Sequence, residues 1–527
     1  MPEPSTQLTK DDFIAAAAPA LERLMRRYPN PKEDLYVSDV VDAEGRQYVN
    51  LVQEGGGVLG IALLGYTYVL EMMGIRFMKM AGTSAGAINT MMLTALGEKH
   101  EMKSLRILEI LSSKPLFDFV DGSAMARRLI KMVISNQGIF KSLKRWAIAT
   151  ALTWFGSLFV LIFLLGKGRF DWVFWAPMLL FAVATGILLW SWMWIRRRAR
   201  EFYNSEYGIN PGNNFYEWVS EILRDQNICN LSDLRRHVEK TPPGGFRLRR
   251  HQNPEDLADL NNPKLENFLV LVTSDITNQI KVEFPRMWRL YWKDEESVNP
   301  AGFVRASMAV PIFFRPYASP KPPAEEEALE SFAQLAGLDE ADHISPQAHF
   351  VDGGLISNFP INVFYNPKVQ EPRLPTFGIV LNDEEPSAKA EKVGYASFWE
   401  YAGAMFSTLR YHYDREFLIR HADFKKTIGE IDVSGINWLN FNLSNKDKIE
   451  LFRRGAEAAA RFLLGPEEEQ IAAAPSPATP APASDDDAFE SASRSLSAPK
   501  ADSIPRGGFN WNGYKQYRRN RKRDLGI

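Results

Sequence analysis

Ser84 lies in Gly82-Thr83-Ser84-Ala85-Gly86. Three consecutive glycines, Gly55-Gly56-Gly57, precede it, and Asp352-Gly353-Gly354 follows far downstream. Transfer of an acyl group to a serine needs a nucleophile, donors for the developing oxyanion and a base for the hydroxyl proton. Those three segments hold one residue type for each task. A G-x-S-x-G pentapeptide also occurs in ordinary turns, so its meaning depends on the elements that flank it.

Ile75 to Met80 reads as a short apolar strand, and Ala85 to Leu96 has the apolar spacing of a helix. Ser84 then falls on a strand-to-helix turn, the setting of a nucleophile elbow. Gly82 and Gly86 remove side chains that would clash across so sharp a turn. The helix N-terminus adds free N–H groups that favour negative charge. The triple glycine follows a strand predicted over Tyr48 to Val52 and precedes a helix from about Gly60 to Met73. Gly55, Gly56 and Gly57 thus present backbone N–H groups suited to an oxyanion. A nucleotide-phosphate loop is a competing reading, but the segment lacks both the G-x-G-x-x-G spacing and a Gly-Lys-Ser/Thr. A plain tight turn is another. In His349-Phe350-Val351-Asp352-Gly353-Gly354, apolar residues lead to an aspartate and two glycines break the strand, which sets the Asp352 carboxylate at a strand end. None of the seven histidines stands in a motif that marks a triad member. His349 is the one near Asp352, and it reads as structural.

Taken in order, the triple glycine, G-x-S-x-G and D-G-G resemble the patatin-like phospholipase family. Phe303-Val304-Arg305-Ala306-Ser307-Met308-Ala309-Val310-Pro311-Ile312-Phe313-Phe314 is a further family-like stretch. The likeness runs over about residues 46–135 and 208–465. It implies a three-layer α/β/α hydrolase domain and a Ser-Asp dyad in place of a Ser-His-Asp triad. Ser84 would be the nucleophile, Asp352 its base, and Gly55 to Gly57 the oxyanion loop. It implies no metal and no cofactor. One departure stands out: Leu59 occupies a position the family usually fills with Arg or Lys, which removes a positive charge from near the substrate.

The 527 residues exceed one ordinary domain, and 45% apolar content allows a large core. A net charge of −2 gives no global field toward nucleic acid, and none is expected as a partner. Cys229 is the single cysteine, so no internal disulfide is possible. No secretory signal opens the sequence. Thr9 to about Arg27 reads as an amphipathic packing helix.

Residues 146–166 and 172–195 carry no charge, and only Lys167-Gly168-Arg169-Phe170-Asp171 separates them. Each run is about 30 Å long as a helix, enough to cross a bilayer. Tryptophans cluster near the ends, as interfacial anchors do. Lys141, Lys144 and Arg145 precede the first run, and Arg196, Arg197, Arg198 and Arg200 follow the second. The positive-inside rule then sets both flanks, and the catalytic domain, on the cytoplasmic side of a two-pass hairpin.

Further buried strands are expected at Asn267–Ser274 and Phe377–Leu381, with helices over Ser397–His421 and Lys446–Leu464. Lys321 to Pro346 reads as a solvated acidic loop. Pro466 to Pro505, rich in Ala, Pro, Ser and Asp, reads as disordered. Seven bases mixed with aromatics from Arg506 onward suggest a tail that touches anionic lipid. The expected organisation is an N-terminal helical extension (1–45), a first hydrolase segment (46–140), the hairpin (141–207), a second hydrolase segment (208–465), a linker (466–505) and the tail (506–527). The expected function is membrane-anchored hydrolysis of lipid acyl esters, with the bilayer as both anchor and substrate source. A catalytically silent membrane scaffold and a lipid acyltransferase are the rival readings.

Overall fold

The computed structural model describes residues 8–113, 116–121, 139–168, 172–204, 206–249, 260–319, 325–337, 345, 347–366, 369, 371–382, 398–465 and 508–525. The expected disordered linker, 466–505, lies outside them. The strands are β1 (Val40–Val41), β2 (Gln47–Gln53), β3 (Ile75–Thr83), β4 (Gly208–Asn210), β5 (Arg247–Leu248), β6 (Leu269–Asp275), β7 (Ile280–Phe284), β8 (Ile312–Phe314), β9 (Tyr317–Ala318), β10 (His349–Asp352), β11 (Thr376–Asn382) and β12 (Ile428–Asp432). The main sheet runs β12-β11-β2-β3-β6-β10-β9, and β4 pairs separately with β8. From β12 to β6 every pairing is parallel, whereas β10 joins β6 antiparallel.

The parallel strands are apolar on both sides, as a sheet covered on two faces must be. Leu51, Met80, Leu269 and Leu271 belong to the larger core cluster. Their neighbours Val52, Ala81, Val270 and Val272 point the other way, into a smaller cluster with Phe359, Ile361 and Phe424. This period-2 alternation makes the domain a three-layer α/β/α structure. On the larger face the helix Gly60–Met72 is buried almost throughout and crosses the helix Asn445–Leu464. That crossing is close because both contact points are glycines. A Cβ at Gly65 would sit 2.1 Å from the Phe452 carbonyl oxygen, and one at Gly455 would sit 1.9 Å from that of Ala62. Phe417 and Leu418, from the helix Phe398–Arg420, cover the smaller face.

Two long antiparallel helices, Ile139–Gly166 and Trp172–Asn204, project from this body. Both contain stretches long and apolar enough to cross a membrane, and those stretches are almost wholly exposed. Trp154 joins them, donating from Nε1 to Thr185 Oγ1 at 2.9 Å and stacking on Phe181.

Two segments carry structure that their composition does not show. The basic-aromatic tail forms a helix, Trp511–Leu525, docked on the domain. Trp511 is fully buried and donates from Nε1 to Asp39 Oδ2 at 2.8 Å, and Tyr514 is buried beside it. Lys515 pairs with Asp39, Arg518 with Asp423 and Arg519 with Glu371. Trp511 and Tyr514 are thus core residues, Phe509 and Tyr517 are half-buried, and three of the bases are matched to acids of the same chain. Within the acidic insertion, Glu325–Ala336 is a helix that seats Phe332 against Tyr291.

Candidate functional site

Ser84 follows β3 directly and is the N-cap of the helix Ala85–Ala95. Its backbone is left-handed, with φ 52° and ψ −118°, a region that strains any residue with a Cβ. The neighbouring glycines explain how so tight a turn closes. A Cβ at Gly82 would lie 2.4 Å from the Gly86 backbone, and one at Gly86 would lie 2.3 Å from the Gln53 carbonyl oxygen. The Ser84 amide donates to Ser307 Oγ at 3.0 Å, and that hydroxyl donates to the Val272 carbonyl at 2.6 Å. Ser307 therefore ties the turn to β6.

Thr83, the residue before Ser84, pairs with Val272, and Asp352 pairs with Thr273 on the opposite edge of β6. Ser84 and Asp352 thus flank one strand at the same height. A Cβ at Gly353 would meet Thr83 Cγ2 at 3.0 Å and the Val272 carbonyl oxygen at 2.2 Å, so the Asp-Gly-Gly turn lies directly against the residue before the serine. Asp352 is buried, its Oδ1 accepts from the Gly354 amide at 2.7 Å, and its own amide donates to Ala309 O.

The triple glycine packs against the same turn. A Cβ at Gly55 would fall 3.1 Å from Ser84 Cβ. The three amides differ, however. Gly55 N–H donates to the Asn358 carbonyl at 3.0 Å, while those of Gly56 and Gly57 have no partner among the described residues. Gly55 is therefore a wall without a side chain, and Gly56 and Gly57 are the open donors. Gly57 itself has φ 55°, and a Cβ there would strike the Trp438 carbonyl oxygen at 2.3 Å.

A buried polar frame that the motifs did not reveal holds this loop. Asn358 Nδ2 donates to Glu54 Oε1 at 2.9 Å and to Gly55 O at 3.1 Å, and Glu54 Oε2 accepts from Leu381 N–H at 2.7 Å. Asp414 anchors the residues on either side of Asn358, accepting from Ser357 Oγ at 2.7 Å and Phe359 N–H at 2.8 Å. Burial pushes the Asp414 carboxyl up to about 6 against those hydrogen bonds. Thr83 Oγ1 donates to Ser357 O, so this frame also reaches the elbow. The available signal for Asn358 and Ser357 was their position just after Asp352-Gly353-Gly354.

Below Ser84 lies an apolar cavity of about 100 Å³. Gly57 and Ser84 stand at one side, and Ile88, Met92, Phe119, Trp218 and Phe314 form much of the rest. His349 sits at the other end of β10, its Nε2 3.9 Å from Glu206 and its Nδ1 3.4 Å from Thr277 Oγ1. Leu59, which stands where the family usually has a base, is buried in the core. Among the described residues no cluster of His, Cys, Asp and Glu could hold a metal ion.

The family model for patatin-like phospholipases matches residues 51–365, from the strand before the triple glycine to beyond Asp352. The chain belongs to the patatin-like phospholipase family. Members of this family are generally lipid acyl hydrolases. A relative is the uncharacterized protein YqhO of Bacillus subtilis (strain 168), 23% identical over 416 residues, which cover 79% of this chain and 98% of YqhO. Among solved structures, the crystal structure of VipD from Legionella pneumophila matches with a TM-score of 0.31 and 13% identity, covering 80% of this chain and 69% of VipD. In this chain the family match spans the two long apolar helices, which separate the Ser84 segment from the Asp352 segment.

Proposed function

We propose that the protein is a membrane-anchored serine lipid acyl hydrolase that works through Ser84 and Asp352. The observation that carries this reading is the left-handed backbone of Ser84, a non-glycine residue held in strain between the open Gly56 and Gly57 amides and the Asp352 turn. Strain of this kind costs about 1–3 kcal/mol and persists where the surrounding structure enforces it, commonly at functional sites.

In the first half-reaction Asp352 takes the Ser84 hydroxyl proton as Oγ bonds to the ester carbonyl carbon. Gly56 and Gly57 N–H groups hold the oxyanion, each worth roughly 3 kcal/mol. The carbonyl re-forms as the alcohol leaves with the proton from Asp352. Water then attacks the acyl-enzyme and gives a proton to Asp352, which passes it to Ser84 Oγ as the acyl–Oγ bond breaks, releasing the fatty acid and regenerating both residues. A carboxylate is a weak base in water; Asp352 and Ser84 are both buried, so the proton transfer would run away from bulk solvent. The apolar cavity suits a hydrocarbon chain, so the acyl group would lie along Ile88, Met92 and Phe314.

The hairpin would hold this site at the bilayer, its uncharged helices in the hydrocarbon and Arg196, Arg197, Arg198 and Arg200 on the cytoplasmic side. Hydrolysis of fatty acyl esters in mixed micelles tests the catalytic reading. Ser84→Ala and Asp352→Asn should each retain the wild-type melting behaviour and lose at least about a thousandfold in turnover. Near wild-type turnover by a folded Asp352→Asn protein would exclude Asp352 as the base.

A further inference from the structure

A second cavity, polar and about 480 Å³ in volume, opens where the hairpin meets the domain. Asn204, the last residue of the second hairpin helix, is on its wall, opposite Arg305, Arg315 and Tyr317. Arg305 is the unusual member. It is 3% exposed, and its Nη2 donates to the carbonyls of Pro211 (2.7 Å) and Arg315 (2.8 Å), yet its Nη1 has no partner among the described residues. Asp121, the carboxylate that attracts it, accepts with both oxygens from the amides of Gly212, Asn213 and Asn214. Burial lowers the guanidinium only to about 10, so it stays charged at neutral pH. Nη1 is itself buried, so an acceptor in the cavity reaches it by a small shift of the lining, and the cost of leaving a buried cation with an unused donor favours that shift.

The remaining lining defines that acceptor. Arg315 is exposed at the rim and adds a second guanidinium. Tyr216 and Tyr317 stack at 6.3 Å, and burial raises both phenols, which keeps them as O–H donors. Glu206 and Glu217 are exposed on the same rim, where they disfavour a dianion and suit a nearby ammonium. The Phe314 ring separates this cavity from the apolar one: it lines the space below Ser84 and lies under the Arg305 guanidinium at 5.2 Å.

We propose that this cavity is a docking site for the phosphodiester of a zwitterionic phospholipid headgroup. Its phosphate would sit between Arg305 and Arg315, with its ammonium toward Glu206 and Glu217. The Phe314 wall makes the bound lipid a neighbour of the active site and not the ester being cleaved. Bilayer lipid as the source rests on the hairpin spanning the membrane; the phosphate chemistry does not.

Full-length Ser84→Ala protein in maltoside micelles, titrated by calorimetry, tests the site without turnover. Glycerophosphoethanolamine serves as the headgroup probe and inorganic phosphate as the free anion. Glycerophosphoethanolamine should bind at one equivalent, and Arg315→Gln and Arg305→Lys should each weaken it about tenfold or more. Should Arg305→Lys fail to fold, the exposed Arg315→Gln decides. Tighter binding of inorganic phosphate would make the site one for a free anion and overturn the lipid assignment. Absent binding, or binding that both folded variants leave intact, would overturn the site altogether. Because the readout is binding and not turnover, neither outcome depends on the catalytic reading.

Discussion

Replacing Ser84 by glycine should make the protein more stable while abolishing its activity. At φ 52° and ψ −118° a Cβ is strained by about 1–3 kcal/mol, and glycine removes most of that cost. Glycine also gains freedom in the unfolded chain, which offsets about 0.5–1 kcal/mol. The serine side chain makes no helix-capping hydrogen bond, so no cap is lost. The Ser84 amide, bonded to Ser307, survives the change. The net gain is about 1 kcal/mol, or roughly 2 °C in melting temperature for a large domain. Ser84→Ala is the matched control, because alanine keeps the Cβ and its strain while losing the same hydroxyl. Thermal melts of the two full-length variants in one detergent compare them directly. Both should be inactive, with the glycine variant melting higher. A glycine variant that melts at or below the alanine variant would refute the idea that strain is held at this turn.

The frame behind the oxyanion loop should respond to pH through Asp414. Burial holds its carboxyl at about 6, above the ordinary 3.8, so the folded state binds the proton more tightly than the unfolded one. Its contribution to stability is therefore complete below about pH 4 and lost as pH rises to about 6. Asp414→Asn stays neutral and can still accept from Phe359 N–H while donating to Ser357. Melts between pH 4 and 7 should show wild type losing ground to this variant as pH rises, and parallel curves would exclude the effect. For the hairpin, alkaline carbonate extraction should leave the full-length protein in the membrane pellet. Deletion of 142–204 should release the chain to the supernatant; retention of the deleted form would assign the anchoring elsewhere.

Much of the site was legible because its parts are short motifs with a mechanical reason. The elbow glycines are needed wherever a strand turns into a helix within one residue, and backbone overlap at Gly82 and Gly86 is that reason made visible. The strands at Gln47–Gln53, Ile75–Thr83, Leu269–Asp275 and Thr376–Asn382 were readable as apolar runs between turn signals. What the sequence did not disclose depends on contacts distant along the chain. Gly55 looks like its two neighbours, yet Asn358, some 300 residues later, takes its N–H. Nothing local in the sequence marks Glu54 or Asp414 as buried; the fold sets both against backbone amides. The docking of the C-terminal helix was hidden for a related reason. Its Trp, Tyr, Lys and Arg residues match a lipid-binding tail in composition, and only their pairing with Asp39, Asp423 and Glu371 marks them as a docked element. Arg305 shows the reverse case, a base within a family-like stretch whose unused Nη1 becomes apparent only once the cavity beside it is seen.

The central claim is that Ser84 is an activated nucleophile. Labelling detergent-solubilised protein with a fluorophosphonate probe, followed by mass mapping of the modified peptide, tests it most directly. The probe should attach to one peptide, at Ser84, and labelling should vanish in Ser84→Ala. Labelling that persists in that variant, or folded wild-type protein that stays unlabelled both in micelles and in bilayers, would contradict it.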